Sequence, residues 1–207
     1  MASKLELVSL GGIPHCYNRN VEVLLGSCHS LQKLRLKNYN CLNNNLWVQN
    51  GKTLQSLNLS NSPNRWNYSF DFDLKSIKDI VENCVELREV SFYHTDFHED
   101  ALNYLVNNLT PKVLRLDLSY IFSSFQYLGD EHVEKLVKRC TNLIVLKLSG
   151  TEITNSSIDS IIEHLGPSLK KLDVADTIID YGKGGKLLEL KKLMPNLKNF
   201  RADPRFS

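Results

Sequence analysis

Residues 94–100 read His-Thr-Asp-Phe-His-Glu-Asp, a run of imidazoles and carboxylates of the kind that can hold a divalent metal. A simpler reading competes with it. Apolar residues at helical intervals follow His98, so His98, Glu99 and Asp100 open a helix, where acidic side chains complement the dipole. His94 falls in the loop before it. Tyr181-Gly-Lys-Gly-Gly185 has the composition of a phosphate-cradling loop but lacks the GxxxxGK[ST] frame, and it reads as a flexible turn. Cys16, Cys28, Cys41, Cys84 and Cys140 include no Cx2C pair that would suggest zinc. Cys16 and Cys41 have no evident His and acid partners in the sequence, and no nucleophile-and-base constellation stands out. No catalytic residue, metal or cofactor is expected, and the chain reads as a non-enzyme.

A clearer pattern lies in the cations of Lys33-Leu-Arg-Leu-Lys37. Alternation puts Lys33, Arg35 and Lys37 on one face of a strand and Leu34 and Leu36 on the other. Three like charges on one face repel unless something acidic meets them. An acidic or phosphorylated segment of a protein would do so. The competing reading is a solvated strand.

Those residues belong to a frame, LxxLxL, which recurs with other apolar residues allowed. It begins at Leu5, Leu31, Leu54, Leu87, Val113, Leu143, Leu169 and Leu197. Successive starts are 26, 23, 33, 26, 30, 26 and 28 residues apart. A period in the twenties with this frame is the mark of leucine-rich repeats. Residues 129–148 show one unit. Val133, Leu136, Val137 and Cys140 keep helical spacing, with Asp130 expected to cap the start and Lys138 and Arg139 in the last turn. Thr141-Asn142 then turns the chain, and Leu146 and Leu148 keep strand spacing. Similar helices are expected over Asp73–Cys84, His98–Leu109, Asn155–Leu165 and Gly185–Met194, the last with Leu187, Leu188, Leu190 and Leu193 inward. No unit covers its own apolar face, so each must stack on the next. The expected fold is an α/β solenoid: one domain over residues 1–207, about eight repeats in a right-handed horseshoe. Its parallel strands line the concave face and its helices lie outside.

The concave face then presents the residues that alternate with the buried ones. They comprise seven basic positions (Lys33, Arg35, Lys37, Arg115, Lys147, Lys171, Arg201) and four acidic ones (Glu89, Asp117, Asp173, Asp203), with Tyr93 among the neutral residues. Such a polar mixture suits a protein partner. Nucleic acid fits less well, because acidic residues interrupt the basic ones. Two return segments are rich in aromatic residues: Asn61–Phe72 with Trp66 and Tyr68, and Ser119–Asp130 with Phe122, Phe125 and Tyr127. They leave the same end of their strands, as a binding rim would, or they pack down on their own repeats. The candidate partner-binding residues are Lys33, Arg35, Lys37, Tyr93, Arg115 and Lys147 on the face, and Trp66, Tyr68, Phe122, Phe125 and Tyr127 on the rim.

The net charge of +2 neither demands nor excludes a polyanionic partner. No apolar run approaches the roughly 18 residues of a membrane span. An odd number of cysteines, three of them at one repeat position, reads as buried thiols in a reducing compartment, cytoplasmic or nuclear. Four Asn-x-Ser/Thr triplets (Asn58, Asn67, Asn108, Asn155) read as unused in such a setting.

Cys140-Thr-Asn-Leu-Ile-Val-Leu-Lys-Leu148 resembles the Cys-x-x-Leu-x-x-Leu-x-Leu unit of cysteine-containing leucine-rich repeats, as does Cys28–Leu36 and, more loosely, Cys84–Phe92. Ile153-Thr-Asn155 and Leu128-Gly-Asp130 resemble the Ile-Thr-Asp that precedes that family's helices. The likeness covers nearly the whole chain. It points to the F-box/LRR substrate receptors of SCF-type ubiquitin ligases, in which an F-box docks on the ligase and the repeats hold the target for degradation. The resemblance implies a protein substrate, with ligase subunits as partners if an F-box exists elsewhere in the gene product. Two departures stand against it. The sequence starts inside the first repeat, with no room for the F-box of roughly 40 residues that precedes the repeats in that family. The family's second Cys, just after the strand, is replaced by residues such as Tyr39, His94 and Tyr120. The alternative is an F-box-less structural or assembly adaptor with no ubiquitin link.

Overall fold

The computed structural model describes residues 5–11, 23–37, 45–61, 71–123, 128–180, 190 and 192–202. In chain order the strands are β1 (Leu7–Gly11), β2 (Lys33–Lys37), β3 (Ser56–Ser60), β4 (Asp71–Phe72), β5 (Glu89–Ser91), β6 (Asp96–Phe97), β7 (Arg115–Asp117), β8 (Phe122–Ser123), β9 (Val145–Lys147), β10 (Lys171–Asp173) and β11 (Asn199–Arg201). Between them lie α1 (residues 23–26), α2 (Asn45–Asn50), α3 (Leu74–Asn83), α4 (Glu99–Asn108), α5 (Asp130–Arg139) and α6 (Asn155–Leu165). Each of the eight LxxLxL frames yields one strand, which begins two residues into the frame.

Those eight strands form one parallel sheet in the order β1-β2-β3-β5-β7-β9-β10-β11, so each frame pairs with the next in sequence. A second sheet, β4-β6-β8, is also parallel and has two residues per strand. Parallel neighbours need a crossover, and the helices provide it. They pack in series as well: α2 on α3, α3 on α4, α4 on α5 and α5 on α6. The core fills the space between the two layers. Leu34, Leu57, Val90, Leu116, Leu146 and Leu172 are one such file, all at most 3% exposed. They occupy equivalent positions in consecutive strands. Where β4 begins the second sheet, Phe72 packs with Phe92 and Phe97 at ring distances of 5.2–5.3 Å.

The helix ends depart from expectation in an informative way. Asp73, expected as the first helical residue, caps α3 instead, accepting from Ser76 N–H at 2.8 Å. Asp130 does not cap α5; Gly129 holds that position and Asp130 is the first helical residue. Its carboxylate instead accepts from the backbone N–H groups of Thr154 (2.8 Å) and Ser157 (3.2 Å) and from both their hydroxyls. It therefore serves the start of α6, one unit along, because the stack brings that helix's unsatisfied N–H groups within reach. Asn155, the first residue of α6, likewise accepts from a backbone N–H further along the chain, that of Asp180, at 3.1 Å. Leu193, expected inward, is 45% exposed, while Leu190 and Met194 take the core positions beside it.

After each later strand the chain turns through one left-handed residue: His94 (φ 58°), Tyr120 (φ 54°), Gly150 (φ 65°) and Asp176 (φ 56°). The backbone N–H groups of His94, Tyr120 and Gly150 donate to Ser119, Ser149 and Ala175, carrying the ladder one step beyond the strands. Those bonds offset the roughly 1–2 kcal/mol that a side chain costs in this conformation. The next residue is the one that faces inward. Thr95, Ile121 and Thr151 are buried there. Thr95, Thr151 and Thr177 each donate a hydroxyl to the carbonyl three residues back, at 2.6–2.7 Å.

Cys28, Cys84 and Cys140 are free thiols, at most 1% exposed, each lying where a helix ends before its turn. Burial pushes the Cys84 thiol up to about 12 and Cys140 up to about 11. Neither is a ready nucleophile at neutral pH.

Candidate functional site

The sheet covers its core on one side and leaves the other open. Parallel register sorts the open-face residues into rows that run across the strands, with neighbours in a row about 4.8 Å apart. One row runs Leu7, Lys33, Ser56, Glu89, Arg115, Val145, Lys171, Asn199; the next runs Ser9, Arg35, Asn58, Ser91, Asp117, Lys147, Asp173, Arg201. Gly11, Lys37 and Ser60 begin a third.

The rows decide which charges are committed. Arg115 Nε lies 3.3 Å from Glu89 Oε1, Lys147 Nζ 2.9 Å from Asp117 Oδ2, and Arg201 Nη1 3.3 Å from Asp173 Oδ2. Each pair joins neighbouring strands at the same frame position. The Arg115–Glu89 pair is half-exposed and worth up to about 1 kcal/mol, the carboxylates of the other two lie deeper, and the pairs hold Arg115 and Lys147 against their own sheet.

Lys33, Arg35 and Lys37 differ. All three are exposed. Their partners in register are Leu7, Ser9 and Gly11 on one side and Ser56, Asn58 and Ser60 on the other, every one neutral. No ion pair holds any of the three among the described residues. Adjacent charges lie roughly 7 Å apart along the strand, which costs about half a kcal/mol per pair in water and more where water is displaced. Beside Arg35, the Oδ1 of Asn58 is enclosed and has no hydrogen-bond partner among the described residues. Among the described residues the strip thus offers three uncompensated cations, with an enclosed, unpartnered acceptor beside them.

Toward the far end the face deepens into a cleft of about 400 Å³, lined by Asn58, Tyr93, Tyr120, Lys147, Asp173 and Arg201 among others. Tyr93 meets Tyr120 edge-on at 5.7 Å, and His94 stacks obliquely on Tyr120 at 6.3 Å. The Tyr120 hydroxyl donates to Asp176 at 2.5 Å. That bond first, and burial second, push the phenol up to about 12. Ser119, Ser149, Asp173 and Ala175, open-face residues by alternation, are buried here. Asp173 is satisfied by the Ser149 hydroxyl at 2.5 Å and by Arg201. This end presents rings, closed polar pairs and a single cation, Lys171, outside an ion pair among the described residues; the other presents three such cations on one strand.

Of the expected site residues, Lys33, Arg35, Lys37, Tyr93, Arg115 and Lys147 come together on the open face. Phe122 lies in β8, on the second sheet, where it pairs in register with Asp96. Trp66, Tyr68, Phe125 and Tyr127 lie outside the described residues, as does the Tyr181–Gly185 turn. His98 is the N-cap residue of α4, with Glu99 and Asp100 in its first turn, whereas His94 turns toward Tyr93 and Tyr120. No group of three or more His, Cys, Asp or Glu among the described residues is placed to hold a metal ion. Sequence reasoning missed the ion pairs and Asn58. Both were within reach, since aligned frames put Glu89 beside Arg115 and Asp117 beside Lys147. Tyr120 was missed as a face residue because only its left-handed turn aims it there.

No protein-family model matches the chain, and no curated protein matches it. Among solved structures it is similar to the tropomodulin C-terminal domain of Caenorhabditis elegans. The identity is 8%, over 74% of this chain and 89% of that one, with a TM-score of 0.43. A likeness of that size decides nothing about partner or activity. The class defined by the chain's own geometry is an α/β protein of serially stacked strand–helix units.

Proposed function

We propose that the chain is a leucine-rich-repeat solenoid of about eight repeats, a right-handed horseshoe that binds another protein on its open face. It would work as the substrate-recognition part of an SCF-type ubiquitin ligase receptor does, holding a target while other subunits act, without catalysis of its own. The observation that carries the binding role is the unpaired strip Lys33, Arg35 and Lys37. On the rest of that face Arg115, Lys147 and Arg201 are neutralised by Glu89, Asp117 and Asp173, and only the partly buried Lys171 stands outside an ion pair among the described residues. A strand that keeps three repelling charges favours an anionic protein segment, acidic or phosphorylated. The link to ubiquitin rests on the resemblance of Cys140–Leu148 and its companions alone.

The test is capture from cells with the full gene product and with Lys33, Arg35 and Lys37 all changed to Glu. Partners held by the strip are lost from the variant, while Arg115→Glu, a cation already paired, reduces them less. Equal capture by all three proteins would remove the strip from the site. Co-recovery of a cullin and its adaptor with the wild type supports the ligase reading. Strip-dependent partners without them favour the adaptor.

A further inference from the structure

A second basic surface lies off the open face, at the edge where the strands begin. The residue before each strand forms its own row, because Leu114 N–H donates to Arg88, Ile144 to Leu114, Lys170 to Ile144 and Lys198 to Lys170 (2.8–2.9 Å). The row therefore reads cation, apolar, apolar, cation, cation. Around it opens a cleft of about 650 Å³ whose lining includes Arg88, Lys112, Leu114, Ile144, Pro167 and Lys170, and no described lining residue is acidic. Lys112 is neutralised by Glu86 at 2.5 Å. Arg88 and Lys170 are exposed and in no ion pair among the described residues. The polar floor is fixed by the stack. Asn142 donates to Pro111, Asn196 to Pro167 and Ser168 to Leu143, each a backbone carbonyl of an earlier unit.

We infer that this edge is a second binding site, independent of the open-face strip. Its ligand is a short acidic peptide with an apolar residue between two carboxylates. Arg88 and Lys170 stand three strand spacings apart, roughly 14 Å between backbones, which an extended peptide covers in about four residues. The carboxylates meet the two cations, and the apolar side chain between them rests on Leu114 and Ile144, which are partly exposed. The apolar middle and the lack of an aromatic residue in the lining favour a peptide over single-stranded nucleic acid, which wants stacking rings along a basic groove.

Fluorescence anisotropy on the whole chain tests this. The probe is a labelled decapeptide with Glu at its third and seventh positions and Leu at its fifth. Controls carry Gln for both Glu, or Ser for the Leu. Binding should weaken about tenfold in Arg88→Glu/Lys170→Glu, and comparably when the peptide loses its carboxylates. It should stay within about twofold when Lys33, Arg35 and Lys37 are reversed, since those residues lie on other strands. The exposed positions of Arg88 and Lys170 keep the fold intact, checked by circular dichroism. Equal binding of the Glu and Gln peptides overturns the inference, as does loss of binding in the strip variant alone. Displacement of the probe by an oligothymidylate at lower concentration than by unlabelled peptide overturns the peptide assignment.

Discussion

At the scale of single residues, most groups with chemical potential here are bound into the structure. His132 shows how. It is 4% exposed, and its Nδ1 accepts from Gly129 N–H at 3.3 Å, a bond that the doubly protonated ring cannot accept. Burial holds its imidazole below the ordinary value of 6.5, outweighing the attraction of Glu131 and Glu99. The folded state therefore binds the proton less readily than the unfolded state. Its stabilising contribution is complete above about 6.5 and is lost as the pH falls through the depressed folded value. Urea midpoints measured between pH 7.5 and 5 should fall with pH, and His132→Gln should flatten that fall. Parallel curves for the two proteins would show that other groups carry the dependence.

At the scale of elements, the helix starts are secured across units. Burial acts to raise the Asp130 carboxyl, but the bonds from Ser157 and Thr154 outweigh it and hold the group below its ordinary value. Asp130→Ala leaves the first N–H groups of α6 without their acceptor while α5 keeps its Gly129 cap. We expect a loss of about 2 kcal/mol in chemical denaturation, with α6 amides exchanging faster than those of α5. Equal change in both helices would contradict the cross-unit role. Gly150 marks a different constraint. A Cβ there would sit 2.3 Å from the Tyr120 ring, so this left-handed position accepts only glycine although its equivalents are His94, Tyr120 and Asp176.

At the scale of the whole molecule, the strand ladders and helix packing run between neighbours, with the Tyr120–Asp176 bond as a longer reach, so stability should be graded along the stack. Among the described residues β1 and β11 each pair on one side, whereas β5, β7 and β9 pair on both. Native-state hydrogen exchange should find the slowest amides in β7 and β9 and the fastest strand amides in β1 and β11. Protection in β1 equal to that in β7 would count against a linear stack with open ends. The same linearity separates functions, since the strip on β2 and the edge cleft from Arg88 to Lys170 share no strand. Variants at one surface should not alter binding at the other, which is the contrast the two binding experiments exploit.

The sequence alone determined the strand positions and the inward face, because a period of six apolar-framed residues inside a longer repeat leaves one way to bury the leucines. It also marked Lys33, Arg35 and Lys37, whose alternation with Leu34 and Leu36 is local. Aligned frames hinted at which charges could pair but did not fix which are free. Glu89 reaches Arg115, and Asp130 reaches Thr154, across 24 to 26 residues of chain, and only stacking in register sets such distances. The basic edge before the strands was invisible for the same reason: Arg88, Leu114, Ile144 and Lys170 become one surface only when four separate repeats lie side by side.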